Sequence, residues 1–199
     1  LLSSPRHCPR FTLFPLSSSA HYPYPNTFTT GDKILEDSLI VLRQITRQSQ
    51  ANLFLRFSPS PEDLPYPIQR YVGETERLYG VLDARLANRD YVAGPNRGRY
   101  SIADMSLVGL VNASRFGGID LRRQFPNVQA WLERLLARPA VMRGLAVPDG
   151  PLRFRNEVLE RALNGEGGEE GLQIRRMVEE GDRLVREAKE KFGYVYASP

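Results

Sequence analysis

Apolar residues recur three and four positions apart along most of this chain, the spacing that lines up one face of an α-helix. After Gly31-Asp32, Ile34, Leu35, Leu39, Val41, Leu42 and Ile45 form such a stripe, which extends through Gln48 to Phe57. Ser58-Pro59-Ser60-Pro61 stops it, because a residue before proline is pushed out of the helical region. Past the turn Asp63-Leu64-Pro65-Tyr66-Pro67, the pattern predicts a second long helix over residues 68–87. Tyr71, Thr75, Leu78, Leu82 and Leu86 point inward there, and Arg70, Glu74, Arg77 and Arg85 face water. A third helix carries Met105, Leu107, Val108, Leu110 and Val111, apolar over much of its circumference, as in a helix surrounded by others. Gly117-Gly118 ends it. Phe125-Pro126 opens a fourth, with proline at the first helical position and Val128, Trp131, Leu132, Leu135 and Leu136 on its apolar face. Arg138-Pro139 breaks that helix and leaves residues 140–145 as a short fifth before Val147-Pro148-Asp149-Gly150.

Local signals support the third helix most clearly. Ser101 stands at the N-cap, where its hydroxyl accepts from a helix-start amide, and Asp104 reaches back to the Ser101 amide, a capping box with Asp in the Glu/Gln role. Tyr100 precedes the cap as the apolar half of a hydrophobic staple, and Asp90-Tyr91-Val92-Ala93-Gly94 leads in from upstream. Two further helices are predicted over residues 152–163 and 172–192, separated by Asn164-Gly165-Glu166-Gly167-Gly168. The last offers acid-before-base pairs four apart, Glu179 with Arg183, Asp182 with Arg186 and Glu187 with Lys191, each worth ~0.2–0.5 kcal/mol. Its apolar stripe of Ile174, Met177, Gly181, Leu184, Ala188 and Phe192 docks on the bundle, on a partner chain or in a short coiled coil, and the bundle is the simplest of the three. Nothing over residues 32–150 reads as a set of period-two strands, so the fold class is all-α.

Composition narrows the chemistry. At 199 residues, 41% of them hydrophobic, the chain is long enough for one real core. The single cysteine, Cys8, closes no intrachain disulfide, and no Cys/His cluster has zinc spacing, so the expectation is a reducing, cytoplasmic setting without metal. The +4 charge comes from arginines spread over mixed-charge helices, which reads as a solvated face and not as a nucleic-acid surface. No apolar run approaches the ~18–20 residues of a membrane span, and a soluble protein is expected. Residues 1–31 differ from the rest: Arg6 and Arg10, no acid before Asp32, several serines, and His21-Tyr22-Pro23-Tyr24-Pro25. A mitochondrial transit peptide has that charge pattern, but the prolines oppose an amphipathic helix. A low-order tail, or an incomplete gene model opening on Leu1, is the favoured reading. His7 and His21 have no Ser/Asp partners at triad spacing.

Together these segments resemble the C-terminal all-α domain of cytosolic glutathione transferases. The residues that carry the likeness are 77–86, Arg-Leu-Tyr-Gly-Val-Leu-Asp-Ala-Arg-Leu, for that domain's long second helix, and Tyr91-Val92-Ala93-Gly94 for the approach to its buried helix. Ser101-Ile102-Ala103-Asp104 matches its capping box, and Phe125-Pro126-Asn127-Val128 with Trp131-Leu132 and Arg138-Pro139-Ala140-Val141 its closing helices. Residues 52–59, Pro67-Ile68-Gln69-Arg70-Tyr71 and 143–148 look most like the fungal nitrogen-regulator-like and bacterial Nu-class branch. The likeness spans residues 34–150. The organisation expected is therefore a tail over 1–31, a transferase-type helical bundle over 32–150, and accessory charged helices over 151–199.

The resemblance implies glutathione chemistry: attack of a glutathione thiolate on an electrophile, or thiol–disulfide exchange. In the family an N-terminal thioredoxin-like domain holds glutathione, and residues 1–31 lack its apolar strands. Glu36-Asp37-Ser38 is similar to that domain's acidic-Ser pair but reads as helix surface, and Cys8-Pro9 has no strand before it to make a reactive thiol. The expectation is that the glutathione-binding half is missing, that glutathione is a co-substrate only if that half is supplied, and that no catalytic residue lies in this chain. By the same resemblance Asn52, Phe54, Arg56 and Phe57, joined by Tyr66 and Tyr71, face the cleft between domains. An Arg beside aromatics there suits a glutathione conjugate or hydrophobic small molecule, while Phe54 and Phe57 in the core with a solvated Arg56 is the competing reading. Ser101 and Asp104 are structural on either view, and Arg138 and Arg143 are helix-terminal charges. The functional alternative is a non-catalytic interaction or assembly module, working as a homodimer or with a protein partner.

Overall fold

The computed structural model describes residues 47–147 and 155–193. The N-terminal tail with His7, Cys8 and His21, the Ile34–Ile45 stripe with Glu36-Asp37-Ser38, and Pro148-Asp149-Gly150 lie outside the described residues. Among those described, every regular element is helical.

Helix α1 is described from residue 47 and widens into a π-helical last turn, Leu53–Phe57, before Ser58 turns extended (ψ 139°) ahead of Pro59. A 3-10 turn, Pro61–Asp63, leads to α2, Pro65–Leu86. This helix starts three residues earlier than the sequence suggested, because Pro65 occupies its first turn, where no N–H is needed. It is buried around much of its girth. Glu76, 1% exposed, was not foreseen as an inward residue.

Helix α3, Ile102–Val111, begins at Ser101 as expected. The expectation that neighbours surround it is corrected: Leu107, Val108 and Val111 are buried, but Ile102 is 79% and Met105 53% exposed. Its chain leaves the helix at Asn112, short of the Gly117-Gly118 stop, through a 3-10 turn at Arg115–Gly117. A one-turn helix that the apolar pattern does not reveal follows, α4, Leu121–Gln124, capped by Asp120. Helix α5, Pro126–Leu136, and α6, Pro139–Leu145, break at Arg138-Pro139 as predicted. Phe125 has no side-chain acceptor to cap α5, and Asp83 of α2 substitutes: its Oδ1 accepts from the Asn127 and Val128 amides at 2.9 and 3.0 Å.

Helices α7, Asn156–Leu163, and α8, Gly168–Phe192, flank a glycine-rich break; Gly165 and Gly167 within it, and Gly168 at the first position of α8, adopt positive φ. Helix α8 docks on the bundle, lying along α2 and α7. Leu184, Val185 and Ala188 join the same core as Tyr79, Phe125 and Trp131, while Val178 packs with Phe116 and Leu159 in a smaller cluster. The predicted ion pairs are in part replaced. Asp182 serves Arg115 across the interface instead of Arg186, and the surface pairs are Arg175–Glu179, Arg183–Glu180 and Arg183–Glu187.

Candidate functional site

Asn52, Phe54, Arg56 and Phe57 share one helix but not one face. Residues two apart on a helix point away from each other, and the structure sorts the cluster accordingly. Phe54 stacks on Tyr71 with ring centroids 5.3 Å apart, and the Arg47 guanidinium lies 5.9 Å from the other partner's ring, that of Tyr71. Arg47, Tyr66, Gln69, Arg70, Tyr71 and Glu74 line a cleft of about 350 Å³ between α1 and the first turns of α2. Tyr66 is also met edge-on by Phe192, the last residue of α8, at 5.6 Å. Phe54, Tyr66 and Tyr71 are thus brought together.

Asn52, Arg56 and Phe57 turn toward the Arg115–Gly117 turn instead. Phe57 is 67% exposed and tilts against Phe116 at 6.0 Å. Arg56 donates through Nε to the Phe116 carbonyl at 2.8 Å and through Nη1 to the Met177 carbonyl of α8 at 2.5 Å, with its guanidinium 5.4 Å from the Phe116 ring. Burial lowers its pKa to about 10, against the opposing pull of Asp182, and the group stays cationic at neutral pH. A Cβ on Gly181 would stand 2.1 Å from Arg56 Nη1, so glycine there lets the guanidinium lie against α8. In this arrangement Arg56 is neither a solvated charge nor part of the α1–α2 cleft. It pins α1 to α8.

The cleft itself is electropositive. Glu74, its single acid, is bound by Arg77 at 2.8 and 2.9 Å, whereas neither Arg47 nor Arg70 has a carboxylate partner among the described residues. Two guanidinium forks beside two phenol rings suit an anionic ligand with a flat or apolar portion. Sequence reasoning missed Arg47, Gln69 and Arg70. The signal was present: Tyr66, Gln69 and Arg70 stand at i, i+3 and i+4, the spacing that places them on one helix face.

The capping box is complete and extends further than its own helix. The Ser101 hydroxyl accepts from the Ala103 amide at 3.3 Å, and Asp104 Oδ2 accepts from the Ser101 amide at 2.9 Å. Asp104 Oδ1 accepts from the Val92 amide at 3.0 Å and from Trp131 Nε1 at 2.9 Å. Arg138, expected as a helix-end charge, lies over the Tyr100 ring at 3.9 Å. No group of His, Cys, Asp and Glu among the described residues could hold a metal ion, and no helix there is long and apolar enough to cross a membrane.

Comparison with known proteins agrees with this architecture. Residues 65–139 match the family described as glutathione S-transferase, C-terminal domain. The disulfide-bond oxidoreductase YfcG of Escherichia coli K12 is 44% identical over 86 residues, 43% of this chain and 38% of that protein. Protein URE2 of Meyerozyma guilliermondii is 31% identical over 125 residues, 48% of this chain and 41% of that protein, and supports the fungal side of the branch seen in the sequence. The chain thus spans about two fifths of the length of these relatives. A Pseudomonas putida glutathione transferase, solved with one glutathione disulfide bound per subunit, superposes with a TM-score of 0.50 at 30% identity, covering 60% of this chain and 54% of that one. With α2 to α5 in order and the Ser101–Asp104 box closed beneath Trp131, residues 65–139 are similar in sequence and in fold to the glutathione S-transferase C-terminal domain.

Proposed function

We propose that this chain is the helical, ligand-holding part of a glutathione-transferase-like protein acting in a reducing compartment such as the cytoplasm. Residues 32–150 form the transferase-type unit and 151–199 its appended helices. The observation that carries the reading is the α1–α2 cleft, where Arg47 and Arg70, without a carboxylate partner among the described residues, flank Tyr66 and Tyr71. That set suits a glutathione conjugate or glutathione disulfide: carboxylates engage the guanidinium groups and the apolar moiety lies on the rings. The reaction proposed is attack of a glutathione thiolate either on an electrophilic carbon, displacing its leaving group, or on a disulfide sulfur, releasing the other thiol. The chain's role is to hold the electrophile while glutathione is supplied as co-substrate.

Calorimetric titration of the full chain with S-(4-nitrobenzyl)glutathione tests this. Binding is expected, and Arg47→Ala and Arg70→Ala each weaken it about tenfold, as loss of one charge-assisted hydrogen bond implies. Absence of heat, or wild-type affinity in both variants, sinks the proposal. A second reading, a homodimeric or protein-docking module without catalysis, is favoured by the exposed Ile102 and Met105 of α3. Sedimentation distinguishes them, since Met105→Lys disperses an assembly built on that face and leaves conjugate binding intact.

A further inference from the structure

A second cleft, of about 680 Å³, opens between the Gly118 turn, α4 and α8, with Glu76 of α2 at its floor. Four of its charges are already matched. Arg115 clasps Asp182 through both terminal nitrogens, at 2.8 and 2.5 Å. Lys189 Nζ and Gln124 Nε2 both donate to Glu76 Oε1, at 2.5 and 3.0 Å. The unmatched groups have a definite pattern. Arg123 of α4 and Arg186 of α8 have no carboxylate partner among the described residues, and Glu190 and Asp120 have no cation there, Asp120 accepting only from the Arg123 amide. Glu76 Oε2 is buried with no donor at all. A buried acceptor left without a donor is costly, and an N–H brought to it removes that cost.

We infer that this cleft binds an acidic α-amino acid or short acidic peptide. Two free guanidinium groups call for two carboxylates, and the pair Glu190 and Asp120, beside the donor-less Oε2 of Glu76, calls for an ammonium. A simple dianion satisfies the first set and meets repulsion from the second. The volume lies within the range of small-molecule sites. None of these residues lines the Tyr66–Tyr71 cleft, so the inference stands or falls independently of the proposed transferase role.

Amide NMR titration of the full chain with L-glutamate and with glutarate, the same dicarboxylate lacking the ammonium, provides the test. L-Glutamate produces saturable shifts at the Gly118 and Gly193 amides that border the cleft, and glutarate binds about tenfold more weakly. The double variant Arg123→Ala/Arg186→Ala, which removes no hydrogen bond described for either side chain, loses glutamate binding with an unchanged melting curve. Glu190→Gln narrows the difference between the two ligands. Absence of saturable shifts at millimolar L-glutamate, an equal response to glutarate, or wild-type affinity in the folded double variant overturns the inference.

Discussion

Asp104 is fully buried, yet its two oxygens accept from Ser101, Val92 and Trp131, so its charge is answered on every side. Removing it strands the Ser101 and Val92 amides and the Trp131 indole N–H at once. Asp104→Ala is expected to cost about 3 kcal/mol or more, whereas Ser101→Ala loses one cap bond and costs ~0.5–2 kcal/mol. Urea denaturation of the two variants checks the order, and equal midpoints would refute it. The spacing of Ser101 and Asp104 made the cap legible in the sequence. The Trp131 and Val92 partners were not, because they depend on where α5 and the preceding loop cross α3. At the surface, the hydrogen bond from Arg97 holds the Asp90 carboxyl below its ordinary pKa, with Arg134 adding attraction. The stability this contributes is present above the ordinary aspartate pKa and lost as pH falls through the depressed one. In an NMR pH titration, Arg97→Ala should move the Asp90 midpoint up toward the ordinary value.

Two glycines inside helices show how alike residues differ by context. Gly109 of α3 has open space where a Cβ would go, so Gly109→Ala should stabilise by about 0.5–1 kcal/mol through reduced backbone entropy. Gly181 of α8 faces the Arg56 guanidinium, and Gly181→Ala should displace it from the Phe116 and Met177 carbonyls. That change is expected to destabilise by about 2 kcal/mol despite the better helix propensity; thermal melts showing the same sign for both variants would contradict the assignment. Periodicity made the existence of α2, α3, α5, α6 and α8 readable, and proline placed the breaks before α2, α5 and α6. The one-turn α4 is too short to show a period. The π turn of α1 and the true ion pairs of α8 arise from packing, since Asp182 goes to Arg115 only once α8 lies on the bundle.

Across the molecule, α8 is fastened at separate points along its length: the Arg56 pin near Met177, the Arg115–Asp182 pair, and Lys189 against Glu76. The last is the most sensitive, because Glu76 is 1% exposed. Lys189→Met leaves a buried carboxylate without its cation and is expected to cost about 3–5 kcal/mol, while Glu76→Leu combined with Lys189→Met recovers most of the loss. Hydrogen exchange should show α8 opening ahead of α2 and α5 in the single variant and with them in the double one. The candidate cleft was partly legible at this scale. Tyr66, Tyr71 and Phe54 could be named from the sequence, but Arg56 could not be separated from them without knowing which way the α1 face turns. Trp131 is the chain's one tryptophan, wholly enclosed, and its indole N–H is bonded to Asp104. The protein therefore carries a built-in optical probe at the centre of its bundle: emission should shift to the red when the Asp104 network opens, with no label added, and stay silent to ligands that leave α5 undisturbed.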